Sequence, residues 1–451
     1  MTSPVRSDRF TYGPVEVDEP AGVVRFHYTL DTVELVEQLE VGPGHTWSPA
    51  AYEAVRIVGL LAGVSYFKAG APPVVDLGNT QLRPGDVEFL RDFYIQGLGE
   101  FAYRNGLDLS DLEFAGGKQE PPFELDEAEL ASHPRHHLLV PFGGGIDSIV
   151  TVETLKASRS DAELFVLDRA GAPPFRAIER AASTTGLAVR RAQREIDPWI
   201  LSPEAGRSAF NGHVPVTGIV SAVAVLCAVL TGRGRVVMSN EWSSSKPTLT
   251  FNGREVNHQY SKSYLFEAGF RSVLESSLGS LVEYFSLLRP FSELWVAERF
   301  SRMTDYHKVF HSCNRAFHLD PAKRLDSWCG RCDKCCFIDL ILAPFLDHDR
   351  LLEIFGGAEP LEQTELVEVF EALLGLSGAF KPFECVGDVD ESRVALRLAA
   401  NRPDRASNEV MSLLLDKLDR AGGQSCAEPA SFMLPMGAHH IPYDLSPTTL
   451  V

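Results

Sequence analysis

"LLVPFGGGIDSIVTVETL", Leu138 to Leu155, places three glycines, Asp147 and Ser148 between an apolar run and a helical pattern. "HLLVPF" reads as a strand and "DSIVTVETLKAS" as a helix. A glycine-rich turn from strand to helix is a cradle for phosphate, because backbone N–H groups and the positive helix end face the anion. Asp147 is the odd member of that cradle. A carboxylate beside a pyrophosphate repels it unless a divalent cation bridges the two, so the loop points to ATP with magnesium.

Two other phosphate loops compete. A Walker loop requires lysine followed by Ser or Thr, and no such pair follows these glycines. A dinucleotide fingerprint would run through Gly143, Gly145 and Ser148, with Ser148 where glycine or alanine is wanted. Asp168, at the end of the next strand, is open to two readings: contact with a nucleotide, or a plain turn residue. The bland reading of the loop is a strand-to-helix turn capped by Asp147.

Working outward, the rhythm of strand, loop and helix continues. "ELFVLD" precedes the helical "PFRAIERAASTTG", "AVRRAQR" is a weaker strand, and "RVVMSN" follows the helical Val214–Gly232. "YFSLLRPF" and "SELWVAERFSRM" repeat the pair. Such alternation predicts an α/β fold, a mostly parallel sheet with helices on both faces, over residues 135–345. Ligands of these sheets bind beyond the C-terminal strand ends. Residues 1–130 read as an α+β region, with strands "VVRFHYTL" and "TVELVEQLEV" and the helix "AAYEAVRIVGLLAGVSYF". The segment Lys118–Pro134 reads as a boundary, and residues 346–451 as a helical region with a tail.

A chain of 451 residues with net charge -19 is poorly suited to gripping nucleic acid, and none is expected as a partner. Val214–Gly232 carries no charge, but its small residues favour a core helix over a membrane span. The N-terminus lacks a signal-peptide core, so a cytoplasmic enzyme without membrane partners is expected. Of eight cysteines, Cys329, Cys332, Cys335 and Cys336 crowd into "SWCGRCDKCCF", with Cys313 upstream. Two-residue spacers let a turn bring neighbouring sulfurs onto one ion, so Cys313, Cys329, Cys332 and Cys335 read as a structural zinc set. Cys336 is a spare for Cys335, and reduced thiols capping a helix, or an iron–sulfur cluster, are the other readings. Cys227, Cys385 and Cys426 are scattered.

The loop resembles the PP-loop of the ATP pyrophosphatase superfamily, S-G-G-x-D-S. Gly144, Gly145, Asp147 and Ser148 match, and Gly143 stands where serine leads. The resemblance implies a PP-loop, HUP-like fold. It also implies attack on the α-phosphate, with pyrophosphate leaving. The cysteine array is similar to that of 7-cyano-7-deazaguanine synthases, which makes an amide- or nitrile-forming enzyme the alternative.

"QGLGEFAYRNGLDLSDLEF", "NGHVPVTGIVSA", "SNEWSSSKPTL", "VNHQYSKSYLFE" and "SWCGRCDKCCF" together resemble the ATP-dependent UDP-N-acetylmuramoyl-L-alanyl-L-glutamate epimerases. That resemblance covers about residues 20 to 420. It implies inversion of the terminal L-glutamate of a UDP-muramoyl dipeptide with ATP and magnesium, through an acyl-adenylate, in peptidoglycan synthesis. The polar stretches supply site expectations. Glu100, Arg104, Asn105, Asn240 and Glu241 are expected to bind substrate, and His258, Tyr260 or Lys262 to move the Cα proton. Each also has a plain reading as a structural polar residue. His439 and His440 read as tail residues.

Overall fold

A computed structural model describes residues 4–158, 161–201, 209–318, 320–376, 378, 381–422 and 428–445. Cys426 lies outside them. Ten strands form one sheet: β1 Arg9–Asp18, β2 Val23–Leu30, β3 Val33–Glu40, β4 Val74–Asp76, β5 Glu113–Ala115, β6 His137–Pro141, β7 Asp161–Arg169, β8 Val189–Glu195, β9 Arg235–Met238 and β10 Glu283–Ser286. Their spatial order is β10-β9-β6-β7-β8-β3-β2-β1-β4-β5. From β10 to β8 every pairing is parallel. β6 is therefore central, with β7 and β8 laid down on one side and β9 and β10 on the other. The chain reverses direction across the sheet between β6 and β9, and a crevice opens there beyond the strand ends.

Alternation along these strands explains why helices cover both faces. Leu139, Phe165, Val236 and Tyr284 enter one core, with the N-terminal elements. Leu138, Val140, Leu164, Val166, Val237 and Phe285 enter the other, with the C-terminal helices. A strand apolar at every position must be buried on both sides. The first core holds helices α1 (Pro49–Ala62), α2 (Gly99–Asn105), α5 (Val216–Leu230) and α6 (Tyr264–Leu278). The second holds α3 (Ile146–Ala157), α4 (Arg176–Thr185), α7 (Glu293–Ser301), α8 (Asp333–Leu342) and α9 (Val389–Ala400).

The uncharged stretch around α5 is a 15-residue core helix, buried against β6 and β9. The longer apolar run Pro49–Gly70 has the length and composition of a membrane span, yet 89% of its 18-residue apolar window is buried inside the fold.

The N-terminal region continues the same sheet. β3 pairs antiparallel with β8, and Arg194 of β8 forks onto Glu37 of β3 at 2.7 Å through both nitrogens. Lys118–Pro134 crosses the molecule and is tied down where Phe123 N–H donates to the Ser276 carbonyl. β1, β4 and β5 are sheet strands that the sequence reading did not single out. A two-residue Asn252-Gly253 turn, both residues at positive φ, also closes a hairpin between 249–251 and 254–256.

Candidate active site

The glycine loop sits at the crevice beside β6, and its backbone dictates the residue types. Gly144 has φ 75°, and a Cβ there would lie 3.2 Å from the Ala177 carbonyl oxygen and from Ile178 Cα. A side chain is excluded on both counts. A Cβ at Gly145 would meet Ser312 Oγ at 2.9 Å. At Gly143 a Cβ would meet nothing within 4 Å, so packing does not explain its departure from serine. The Ser148 hydroxyl donates to the Gly145 carbonyl at 3.0 Å, and α3 opens directly from the loop. Its first N–H groups have no partner within the helix and face the crevice.

Beyond the loop lies a cleft of about 410 Å³, walled by Asp147, Asn240, Lys262, His311, Lys334 and Cys385 among others. A larger cavity of about 710 Å³ borders Tyr12, Tyr52 and Asn79. Its charged residues, Glu53 and Arg56, already pair with each other at 2.9 Å, so the reactive chemistry belongs to the smaller cleft.

Three carboxylates converge beside the cleft, with Asp147 in its wall. Asp147, Glu241 and Glu293 each bring one oxygen within 4.8 Å of the others. Among the described residues Asp147 Oδ1, Glu241 Oε1 and Glu293 Oε2 have no hydrogen-bond partner. Burial, then the charge of Glu241, pushes the Asp147 carboxyl up to about 7, against the pull of Lys334 and Lys262. Burial, then Asp147 and Glu241, pushes Glu293 well above the usual carboxylate range. Oxygens so placed are costly without protons or a cation. All-oxygen donors with spare lone pairs fit a magnesium ion that would also touch a nucleotide's phosphates.

The expected site residues separate into groups. Lys262 and Asn240 line the cleft, and Glu241 belongs to the carboxylate trio. Glu100, 6% exposed, accepts from His258 Nδ1 at 2.5 Å and from Arg104 Nε at 2.5 Å. Arg104 spreads over the Phe383 ring at 5.1 Å. Four residues are engaged elsewhere. Asn105 donates to the Phe101 and Asn211 carbonyls. Tyr260 is 5% exposed and packs on Phe266 in the core, and burial raises its hydroxyl pKa. Asp168 is held by Arg191 at 2.7 Å, outside the cleft wall. His440 stacks on Tyr264 and bonds Glu267 at 2.9 Å, strapping the tail to α6.

The structure adds Glu293, His213, His311, Lys334 and Cys385. Lys262 Nζ lies 3.4 Å from Cys385 Sγ, and Lys334 donates to the Cys385 carbonyl. The His258 imidazole and the Cys385 thiol also interact electrostatically. The His213 ring lies tilted against His258, with ring centroids 4.4 Å apart. Lys334 was legible as the cation inside the cysteine cluster. Glu293, His213, His311 and Cys385 had no local signal, because distant segments deliver them.

Cys313, Cys329, Cys332 and Cys335 form the other cluster, all four sulfurs within 4.8 Å of one another. Measured pairs are 4.0 Å for Cys313–Cys332, 3.6 Å for Cys329–Cys335 and 3.4 Å for Cys332–Cys335. These are too long for disulfides and near the ~3.8 Å edge of a tetrahedron of sulfurs around zinc. Gly330, at φ 65°, turns the chain between Cys329 and Cys332, and Cys332 caps α8 so that Cys335 comes round one turn later. Cys336 faces the apolar core instead. The cluster abuts the loop, since His311 N–H donates to the Gly144 carbonyl and the adjoining Ser312 and Cys313 follow. Cys227 is buried in α5, and burial pushes its thiol up to about 12.

Residues 1–287 match the MurL N-terminal domain and residues 309–428 the MurL C-terminal domain. Three similar proteins are each named UDP-N-acetyl-alpha-D-muramoyl-L-alanyl-L-glutamate epimerase. The one from Micromonospora is 37% identical over 97% of this chain and 96% of its own length. That from Xanthomonas oryzae pv. oryzae is 36% identical over 96% and 95%, and that from Salinispora tropica 38% over 95% and 92%. With both halves matched and identity sustained end to end, the chain belongs to the UDP-N-acetyl-alpha-D-muramoyl-L-alanyl-L-glutamate epimerase family.

Proposed function

We propose that this protein inverts the terminal L-glutamate of UDP-N-acetylmuramoyl-L-alanyl-L-glutamate, with ATP and magnesium, by way of an acyl-adenylate. AMP and pyrophosphate are the co-products. The observation that carries the reading is the Gly143–Ser148 loop opening α3 at the crevice, with the Asp147–Glu241–Glu293 carboxylates beside it. Backbone N–H groups of the loop and helix end hold the β- and γ-phosphates. Asp147, Glu241 and Glu293 would hold magnesium, which would supply positive charge to offset that of the phosphates. Lys262 and Lys334 offset the charge that develops as the glutamate carboxylate attacks the α-phosphate.

Adenylation matters for a simple electrostatic reason. A free α-carboxylate resists loss of the Cα proton, because the carbanion would form beside an existing negative charge. Esterification to AMP removes that charge, and each unit of acidity gained lowers the barrier by up to about 1.4 kcal/mol. Proton transfer falls to groups at the cleft, His258 and Lys262 among the expected ones, and not to Tyr260 in the core. Such a role in precursor synthesis places the enzyme in the cytoplasm, where nucleotide-linked precursors are made. Cys313, Cys329, Cys332 and Cys335 would hold zinc, which would brace the segments around the loop.

Incubation with the UDP-muramoyl dipeptide, ATP and magnesium, followed by chiral separation of the released glutamate, tests the reading. D-glutamate with stoichiometric AMP and pyrophosphate is expected. ADP and phosphate, or capture of a nitrogen nucleophile without inversion, would overturn it in favour of amide formation.

A further inference from the structure

The cleft contains one reactive group that the family reading does not use. Cys385 lies on a segment far along the chain from the loop, yet it lines the same cleft as Gly145 and Asp147. Two polar contacts fix it. Lys262 Nζ approaches its sulfur at 3.4 Å, and the Lys334 ammonium holds its carbonyl. The His258 imidazole interacts electrostatically with the same thiol, and Glu100, at 2.5 Å from His258 Nδ1, fixes that ring. A nucleophile or base, a histidine and a carboxylate in line form a recurring arrangement for an activated side chain. The cleft is also built for an occupant. His311, 5% exposed, lines it with Nε2 lacking a hydrogen-bond partner among the described residues.

We propose that Cys385, held against Lys262 at the end of the Glu100–His258 chain, is the catalytic base that removes the Cα proton of the adenylated glutamate. The assignment rests on the adenylation chemistry proposed above. In the step, the S–H bond forms as the Cα–H bond breaks, and the electron pair moves to the acyl oxygen as an enolate. Reprotonation at Cα from the opposite face by a solvent-derived proton completes the inversion, water then hydrolyses the adenylate to the carboxylate and AMP, and the thiol returns its proton to solvent. The thiolate needed at the start is favoured where it stands. Burial raises the Cys385 pKa, but Lys262, then His258 and Lys334, outweigh burial and bring it down to about 6. The adenylate is already an activated acyl group seated in the cleft with the thiolate, so no transfer of the acyl group to sulfur is required.

The test uses the full-length enzyme in deuterium oxide, with the UDP-muramoyl dipeptide, ATP and magnesium. Wild type should release AMP and pyrophosphate and place deuterium at the glutamate Cα. Cys385→Ala should still catalyse dipeptide-dependent exchange of labelled pyrophosphate into ATP, which reports an intact fold and loop. Its deuterium incorporation should fall by about 10³-fold. Cys385→Ser, nearly isosteric, should behave the same way. Incorporation at near wild-type rate in either variant overturns the assignment. So does a dipeptidyl adduct on the Cys385 peptide of acid-quenched wild type, which would make the sulfur a nucleophile. Loss of pyrophosphate exchange together with deuterium incorporation in both variants would reduce Cys385 to a structural part and also overturn it. Failure of wild type to release AMP or to exchange the proton would overturn the adenylation reading, and this assignment with it.

Discussion

At the scale of single residues, Asp147 links ligand binding to stability. Burial and neighbouring carboxylates hold its pKa up to about 7, above the ordinary value of 3.8. The folded state therefore binds more protons than the unfolded chain between those values, and this group's contribution to stability declines as pH rises through that window. Asp147→Asn should raise the melting temperature of the metal-free protein at neutral pH while cutting pyrophosphate release by about 10²-fold or more. Thermal melts and a pyrophosphate assay on one preparation check both, and a variant with wild-type release would contradict the role given to the loop. Cys385 and His258 make a second prediction. Burial opposes the charge on His258, but interaction with Cys385 and the hydrogen bond it donates to Glu100 carry it up to about 9, while Cys385 comes down to about 6. Facing them are the ammonium groups of Lys262 and Lys334, Asp147, Glu100 and the ring of His213, itself pushed down to about 4 by burial and His258. From about pH 6.5 to 9 the folded pair holds one proton and so does the unfolded pair, so it makes stability flat there. Deuterium incorporation should instead rise as pH passes about 6 and fall above about 9 as the pair titrates. Pyrophosphate exchange should lack the limb near 6, and a limb shared by both signals would assign it to the loop.

At the scale of elements, the link from the cysteine cluster to the loop runs through short chain segments. Cys313 follows His311 and Ser312, which touch the glycines, and Cys335 follows Lys334, which reaches the cleft. Metal held by four thiolates would fix both connections. Cys332→Ser should lose about one zinc per chain by elemental analysis and lower the melting temperature. The same variant should weaken ATP cleavage only as far as Ser312 and Lys334 drift. Full metal content, or an unchanged melt after metal loss, would refute a structural zinc.

At the scale of the whole molecule, the β3–β8 pairing joins the N-terminal strands to the nucleotide-type half in one sheet. The Arg194–Glu37 fork sits under that seam, with Arg194 8% and Glu37 1% exposed, and Arg194 also donates to Ser65. Removing one partner strands a buried charge. Glu37→Ala should cost about 3–5 kcal/mol of stability by denaturant titration, and unfolding should stay a single transition. Two separated transitions would mean that the seam does not couple the halves.

Much of this was legible in residue order. Strand, loop and helix over Leu138–Leu155 follow from apolar runs and glycine, and alternation of such units implies parallel strands whose C-terminal ends share one edge. The cysteine spacing likewise brought three of four sulfurs onto one turn and helix, because two-residue spacers are a local geometry. Tyr260 and Lys262 show where local reading stops. They are two residues apart in one short turn, yet one packs on Phe266 and the other meets Cys385 across the cleft. Asp168 sits at the expected strand end but is captured by Arg191 from the neighbouring strand. Glu293 joins Asp147, and Glu100 joins His258, only through the packing of helices far apart in sequence. The sequence by itself determined the alternating strands and helices around the loop, the loop and the metal-type cysteines, since those depend on neighbours within a turn or two, while the short strands β1, β4 and β5 escaped it. Which side chains share the cleft was decided by tertiary structure, because burial and charge pairing act between segments whose separation along the chain carries no information about their distance in space.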